Sequence, residues 1–396
     1  MRLKLNNIEL KGYKSVSGDG QTLPINDDIT VLIGANGVGK SNIVSFFQLL
    51  NYAMSGSLQT YIGENGFADA FLYYGSKNTD CIKAKLRFSD EESDNQYAFR
   101  LAYAAGDSMI YTEETISFKK KGRGKPFVLT MDVGKKESQL YEAKESTYKE
   151  TVQVFINLLK NCRYFQFHDT TKEAKIRKKN FIGDNKFLRS NAGNLAAFLY
   201  GIKYQNEGEP YYQRIVRYIQ QVMPQFGDFI MEPSLIDENY ISLDWREKNS
   251  DHIFGVNQIS DGTLRFMALA TLLLQPPRTM PSLIVIDEPE LGLHPTAISI
   301  LAGMIKKASA NAQVVIATQS PRLLDEFDAD KVVVVERDPQ RRTSVLKKLN
   351  SERLKAWENE YTTSELWDKN VIGGRPRDDC ISRQKVGRKR RLSTSL

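Results

Sequence analysis

The chain has 396 residues, 41% of them hydrophobic, which is enough for one large or two ordinary domains. The sequence has no run of eighteen apolar residues and no apolar N-terminal stretch, so we expect neither a membrane span nor a signal peptide. It has no CxxC pair, so we expect a cytoplasmic protein without a disulfide framework or a structural zinc site. Its net charge of +7 is uneven, because the last sixteen residues hold six bases and no acid.

The N-terminal part predicts two strands, a glycine-rich loop and a helix. "LKLNNIELKG" (3–12) and "ITVLI" (29–33) have strand patterns, and the second runs directly into "GANGVGKS" (34–41). Residues 42–54 have the apolar spacing of a helix and contain no breaker.

The middle of the chain predicts antiparallel strands and then helices. Residues 81–131 alternate polar and apolar residues between polar turns, with a basic hairpin tip at 119–126. Residues 140–225 have amphipathic helical spacing, interrupted by a segment rich in bases. "YISLDW" (240–245) is a further strand candidate.

The last third predicts an alternating α/β unit. The apolar runs "SLIVIDEPE", "AQVVIATQS" and "KVVVVERD" are separated by helical patterns at 295–309 and 321–327, and another helix begins near 263. No heptad tract appears, so we expect no coiled-coil arm. The fold class is therefore α/β, with an antiparallel β subdomain.

We divide the chain into an N-terminal lobe, a helical insertion, a C-terminal lobe, a C-terminal extension and a disordered basic tail, with bounds 1–135, 136–240, 241–345, 346–380 and 381–396.

The glycine-rich loop predicts a nucleotide site. "GANGVGKS" fits G-x-x-x-x-G-K-[ST] at every fixed position and lies between a strand and a helix, as that phosphate loop (P-loop) requires. Its glycines let backbone N–H groups point at phosphates, Lys40 supplies a positive charge, and the Ser41 hydroxyl can ligate Mg²⁺. We expect ATP and Mg²⁺ here, with nucleotide contacts from Asn36, Gly37, Gly39, Lys40, Ser41 and Asn42.

Two acids predict the other half of the site. The apolar strand "LIVID" ends in Asp287 and Glu288, and burying unpaired carboxylates is costly. In a P-loop protein, the first acid supports Mg²⁺ and the second accepts a proton from the attacking water.

Upstream, Ser260 and Gly262 of "SDGT" begin a long apolar helix. Alone they are only a good helix cap, but a Ser-x-Gly helix N-terminus is also an anion site.

Four motifs in this order, the P-loop, "SDGT", "VIDEPELGLHP" and "ATQSP", resemble the ABC-type ATPase heads of the RecF, SMC and OLD group. The resemblance covers about 1–56 and 255–340. It implies a homodimer or higher oligomer in which each ATP is sandwiched between one P-loop and the Ser260 and Gly262 of the other subunit. It also implies that Asp287 supports the metal and that Glu288 is the general base. His294 lies in the loop that couples the two sites in such heads, or simply leads the next helix.

Gln319 of "ATQSP" departs from the histidine that this group usually has at the switch position. A glutamine amide can donate to a γ-phosphate oxygen but cannot hold a positive charge, so we expect phosphate sensing with slow hydrolysis. For the glutamine loop of such heads, Gln166 is the best candidate by position, and His168, Asp169 and Thr170 compete with it.

The residues after "VVVVERD" contain no Asp-x-Asp, so we expect no Toprim nuclease domain in the chain. The segment 361–379 resembles the C-termini of small stand-alone bacterial ATPases of this group, whose relatives include phage-defence proteins of Septu and retron systems. We therefore expect an ATPase switch that controls a separate nuclease or toxin effector in phage defence. The alternatives are a RecF-like DNA-binding repair factor and an ATP-binding scaffold with little turnover. Nucleic acid is a candidate partner of the basic tail.

Overall fold

The computed structural model describes residues 3–122, 124–140, 143, 148–204, 207–233, 237–350, 354 and 360–374. The predicted basic tail, 381–396, lies outside these residues. The strands are β1 (Lys4–Lys11), β2 (Gln21–Pro24), β3 (Ile29–Ile33), β4 (Cys81–Ser89), β5 (Ser93–Ala104), β6 (Ser108–Lys120), β7 (Phe127–Thr130), β8 (Cys162–Phe165), β9 (Asn180–Phe181), β10 (Phe226–Ile230), β11 (Tyr240–Ile241), β12 (Asp244–Glu247), β13 (Ile253–Phe254), β14 (Leu283–Asp287), β15 (Gln313–Thr318), β16 (Val332–Arg337) and β17 (Ser344–Lys348). The helices are α1 (Lys40–Met54), α2 (Leu58–Glu64), α3 (Lys149–Lys160), α4 (Leu195–Tyr204), α5 (Glu209–Val222), α6 (Asp261–Leu274), α7 (Pro295–Ala308), α8 (Pro321–Leu324) and α9 (Thr363–Asp368).

A six-stranded, mostly parallel sheet forms the centre of the molecule, in the order β17-β16-β3-β15-β14-β8. Only the pairing of β16 with β17 is antiparallel among the described strands of this sheet. The strand β3 is buried on both faces: Val31 and Ile33 pack into one core cluster and Leu32 into the other. Such two-sided burial explains why the central strands read as continuous apolar runs.

The second six-stranded sheet is antiparallel, in the order β2-β1-β4-β5-β6-β7. Its long β4, β5 and β6 have alternating burial, as the period-two pattern of 81–131 predicts. The α/β fold with an antiparallel β subdomain is thus confirmed. The longest described helix, α1, has 15 residues, so no coiled-coil arm lies in the described part of the chain.

The segment 136–240, predicted as a helical insertion, also contains the strands β8, β9 and β10 and the first residue of β11. Strand β8 comes from within it and pairs in parallel with β14, which makes it the edge of the central sheet. The sequence pattern does not predict β8, because a four-residue strand carries no clear period and its partner lies about 120 residues away along the chain. "YISLDW" is also not one strand, because its two ends pair in different sheets as β11 and β12.

Two smaller expectations about helices also change. The helix predicted at 321–327 ends at Leu324, where Asp325 is the C-terminal cap, and the one predicted near 263 begins at Asp261. No helix among the described residues has the length and apolar character needed to cross a bilayer.

Candidate nucleotide site

The P-loop connects the end of β3 to the start of α1. Gly39 has φ of 106°, and a Cβ there would lie 2.2 Å from the Ser344 hydroxyl oxygen and 2.3 Å from that of Ser15. Only glycine fits this position, because backbone and neighbours both exclude a side chain. Asn36 and Gly37 lie exposed at the tip of the loop, and Asn42 lies in the first turn of α1.

Lys40 folds back over the loop that carries it. Its ammonium donates to the carbonyl oxygens of Gly34, at 2.6 Å, and Ala35, at 3.0 Å. Burial lowers the pKa of Lys40, and the nearby carboxylates of Glu288, Asp287 and Glu290 oppose that shift. A buried cation held only by carbonyl dipoles is suited to exchange those contacts for phosphate oxygens.

Asp287 is buried at the carboxyl end of β14, opposite the first turn of α1. The Ser41 hydroxyl donates to its Oδ1 at 3.3 Å, and the Tyr164 hydroxyl donates to Oδ2 at 3.5 Å. Burial raises the pKa of the Asp287 carboxyl, although the Ser41 hydrogen bond lowers it. A hydroxyl and a carboxylate side by side are the oxygen ligands that Mg²⁺ takes in P-loop proteins, so this pair fits the predicted ion.

Protein ligands alone would not hold that ion. No group of three or more His, Cys, Asp or Glu side chains among the described residues could hold a metal. Mg²⁺ at Ser41 and Asp287 would therefore take its remaining ligands from nucleotide and water.

Glu288 and Gln319 meet at the ends of neighbouring parallel strands. The Gln319 side-chain amide donates to Glu288 Oε1 at 3.2 Å. Glu288 has φ of 45°, an uncommon left-handed conformation for a non-glycine residue, and its N–H donates to the Ala317 carbonyl at 2.8 Å. The structure thus brings together the predicted base and the predicted switch residue.

Glu290 belongs to the same edge but is absent from the predicted site residues. Its Oε1 accepts hydrogen bonds from the Thr318 hydroxyl and from the Gln319 N–H, the latter at 3.2 Å. Its Oε2 is buried and has no hydrogen-bond partner among the described residues. Burial raises the pKa of Glu290, and the Thr318 bond opposes the rise. In the sequence, Glu290 is only the third acid of "DEPE". The local pattern places such a residue in the loop after the strand, so it does not predict a buried side chain.

Gln166 reaches the site through His168. The Gln166 amide lies 3.1 Å from His168 Nδ1, and His168 Nε2 lies 3.1 Å from the Asp287 carbonyl oxygen. A carbonyl oxygen only accepts, so Nε2 carries the proton and Nδ1 accepts from Gln166. Asp169 instead accepts from Thr171 and is exposed. Of the competing residues, Gln166 and His168 therefore lie in one hydrogen-bonded chain to Asp287.

Ser260 and Gly262 lie at the partly exposed start of α6. The Ser260 hydroxyl caps this helix by accepting from the Thr263 N–H at 3.2 Å. A Cβ at Gly262 would lie 2.4 Å from the Gly292 carbonyl oxygen, so the helix start packs tightly on the "LGLH" loop. Among the described contacts of this one chain, neither residue touches Lys40 or Ser41. His294 caps α7 by accepting from the Thr296 N–H, which matches its interpretation as a helix-leading residue.

Arg265, one turn into α6, links that helix start to the site. Its guanidinium donates to the carbonyl oxygens of His168 at 2.8 Å, Phe167 at 3.1 Å and Leu291 at 3.3 Å. One side chain therefore joins α6, the "LGLH" loop and the histidine that contacts Asp287. The local sequence pattern shows only a basic residue on an apolar helix, so it does not predict these contacts of Arg265.

A cleft of about 820 Å³ opens beside the tip of the P-loop. It is lined by Asn36, Gly37, Tyr74, Arg337 at the end of β16, and the turn between β16 and β17, including Arg342. The Arg337 guanidinium donates to the Tyr74 hydroxyl at 2.9 Å, which holds the aromatic ring at the rim. The C-terminal extension also reaches this region, because the Ala35 N–H donates to the Gly374 carbonyl at 2.9 Å.

Two protein families match this chain. A family described as "AAA domain" matches residues 7–224, more than half of the chain, and one described as "AAA domain, putative AbiEii toxin, Type IV TA system" matches residues 166–325. Comparison with curated proteins gave no match.

Three solved structures share the fold at low sequence identity. An SmcHead bound to the C-winged helix domain of ScpA has a TM-score of 0.56 and 17% identity, covering 89% of this chain and 99% of that one. A Pyrococcus furiosus Smc head domain with an extended coiled coil, bound to the C-terminal domain of ScpA, has a TM-score of 0.54 and 16% identity (91% and 99% covered). A Pyrococcus yayanosii Smc head domain with a coiled coil and joint has a TM-score of 0.51 and 13% identity (90% and 99% covered). These likenesses show that the chain has the fold of an Smc head domain.

Proposed function

Because the chain belongs to the AAA domain family and has the fold of an SMC head, we propose that it binds and hydrolyses ATP as a dimeric nucleotide switch. The observation that carries this proposal is the contact between the Gln319 amide and the Glu288 carboxylate, at 3.2 Å, on the strand edge that also holds Asp287. A base and a neutral hydrogen-bond donor thus stand together beside a P-loop.

In this proposal, the chain's own residues bind and orient ATP. Asn36, Gly37, Gly39 and Asn42 hold the phosphates with the P-loop backbone, and Lys40 turns from its carbonyls to the β- and γ-phosphates. Ser41 and Asp287 hold Mg²⁺, which neutralises charge on the phosphates when bound.

Glu288 accepts the proton of the attacking water, and Gln319 orients the γ-phosphate and Glu288 by hydrogen bonding. Because the amide carries no charge, it stabilises the developing negative charge less than an imidazolium does. We therefore propose slow turnover and a long-lived ATP-bound state. Ser260 and Gly262 complete the site of the partner subunit, a role supported by their place at the partly exposed start of α6.

Steady-state phosphate release tests the ATPase. Glu288→Gln should lower turnover by about a hundredfold, since a positioned base contributes about that much or more. The matched control is Glu238→Gln, which changes an exposed acid away from the site and should leave turnover unchanged. A wild-type rate no higher than that of Glu288→Gln contradicts hydrolysis and leaves the ATP-binding scaffold.

We further propose that the ATP-bound state controls a separate effector, a nuclease or a toxin, in phage defence. The supporting points are the family match whose description names the AbiEii toxin of a type IV system, and the SMC heads that bind ScpA. Phage plating on the native host, with and without Lys40→Ala, which removes the proposed phosphate contact, tests this. Unchanged phage resistance in a strain carrying the variant contradicts the defence role. Sensitivity to DNA damage in that strain supports the RecF-like alternative.

A further inference from the structure

A second groove lies at the edge of the central sheet, between the end of α1, strand β8 and the loop 183–191. Its volume is about 740 Å³, and it shares no lining residue with the cleft beside the P-loop. Five bases and one acid line it: Lys160, Arg163, Lys175, Lys186, Arg189 and Asp184. The groove is therefore strongly positive.

Arg163 is the unusual member of this groove. Its guanidinium carbon stands 4.1 Å from the centre of the Phe187 ring, and burial lowers the pKa of the guanidinium. It makes no side-chain hydrogen bond and no ion pair with any described residue. A half-buried guanidinium has five N–H donors, and stacking on a ring satisfies none of them. Such a group needs an acceptor, and an anion is the best one.

The other groups around Arg163 point to the same kind of ligand. Asp184 is already paired with Arg189 at 2.8 Å, so the only lining acid is neutralised. Lys175 and Lys186 are exposed and make no ion pair within the described structure. Phe187 is 51% exposed, although a large aromatic ring usually packs in the core.

We propose that this groove binds the phosphates of a short single-stranded nucleic acid, with Arg163, Lys175 and Lys186 on phosphates and Phe187 against a base. A basic groove with an aromatic platform is how proteins hold single strands. A duplex does not suit it, because paired and stacked bases present no face to Phe187. A free nucleotide offers the same chemistry, so the test distinguishes the two sources. The site does not depend on ATP turnover.

Fluorescence anisotropy of a labelled oligothymidylate, titrated with the full chain over a range of salt, tests the groove. The variant Lys175→Ala/Lys186→Ala should weaken binding roughly tenfold and reduce the slope of log affinity against log salt by about 1.4, for two lost single-strand phosphate contacts. The matched control, Lys83→Ala/Lys248→Ala, removes the same charge from exposed positions outside the groove and should change neither quantity. Equal losses in the two variants overturn the proposal.

The aromatic contact has its own test. Phe187→Ala should weaken oligothymidylate binding about tenfold without changing the salt slope, and Phe187→Tyr should retain wild-type affinity. An unchanged affinity for Phe187→Ala overturns the stacking role.

Competition identifies the source of the phosphate. Displacement by unlabelled oligonucleotide but not by thymidine monophosphate supports nucleic acid, and equal displacement by both supports a free nucleotide. Equal displacement by polyglutamate overturns phosphate recognition. In the absence of oligonucleotide, the groove variants should hydrolyse ATP at the wild-type rate. A negative result for nucleic-acid binding can therefore be distinguished from a negative result for ATP hydrolysis.

Discussion

For single residues, the proposed mechanism makes Gln319 the residue that limits the rate of ATP turnover. Its side-chain amide contacts Glu288 and is neutral, whereas a protonated histidine at this position would carry a positive charge. We expect Gln319→His to raise the rate of phosphate release about tenfold, and Gln319→Ala to lower it, because only the histidine adds charge stabilisation. Single-turnover phosphate release measures this directly. A histidine variant slower than wild type would mean that the amide does more than donate a hydrogen bond.

Glu290 makes stability depend on pH. Burial raises the pKa of its carboxyl in the folded chain, so the folded state binds the proton more tightly than the unfolded state. Stability from this group is therefore present at low pH and falls as pH rises from the unfolded pKa through the folded one. We expect Glu290→Gln, which resembles the protonated acid, to gain stability relative to wild type as pH rises from acidic to neutral.

Urea unfolding midpoints at several pH values measure the Glu290 effect. Glu238→Gln, at an exposed position, should show no such trend against wild type. A Glu290→Gln difference that is constant across pH would show that folding does not raise the pKa of the Glu290 carboxyl.

At the scale of elements, the P-loop depends on two glycines with positive φ but different surroundings. Gly37 has φ of 77° and open space around a built Cβ, whereas at Gly39 a Cβ meets two hydroxyl oxygens closer than 2.5 Å. We expect Gly37→Ala to cost about 1 kcal/mol, from backbone strain, and Gly39→Ala about 3 kcal/mol or more, because overpacking adds to the strain. Urea unfolding of both variants is the measurement, and equal costs would contradict the close packing of Ser15 and Ser344 on Gly39.

At the scale of the whole molecule, the proposed sandwich needs a second subunit. With ATP and Mg²⁺, Glu288→Gln should form a stable dimer in light scattering, because nucleotide is held and hydrolysis is blocked. Adding Ser260→Arg should return it to a monomer, since a long charged side chain replaces the small residue at the start of α6. Ser260→Asn, which keeps the helix cap, is the folding control. A monomer for Glu288→Gln with ATP present would contradict the switch.

Features whose signal is local in the chain could be predicted from the sequence alone. The P-loop needs eight consecutive residues with fixed chemistry, the strand ending in Asp287 and Glu288 is a continuous apolar run, and β4 to β6 alternate with period two. These patterns predict an α/β fold with a nucleotide site, and the resemblance to ABC-type ATPase heads adds the roles of Glu288 and Gln319.

Features that depend on partners distant in sequence become visible in the three-dimensional structure. Strand β8 exists because it completes the edge of β14, and His168 matters because that pairing brings it to the Asp287 carbonyl. Within the described residues, Glu290 Oε2 has no hydrogen-bond partner and the Arg163 guanidinium has no ion pair, and both facts are properties of their surroundings. A short segment has no periodicity strong enough to reveal such roles, because burial and hydrogen bonding depend on residues outside it. These residues lie 28 positions away for Glu290 and Thr318, and more than a hundred positions away for β8 and β14.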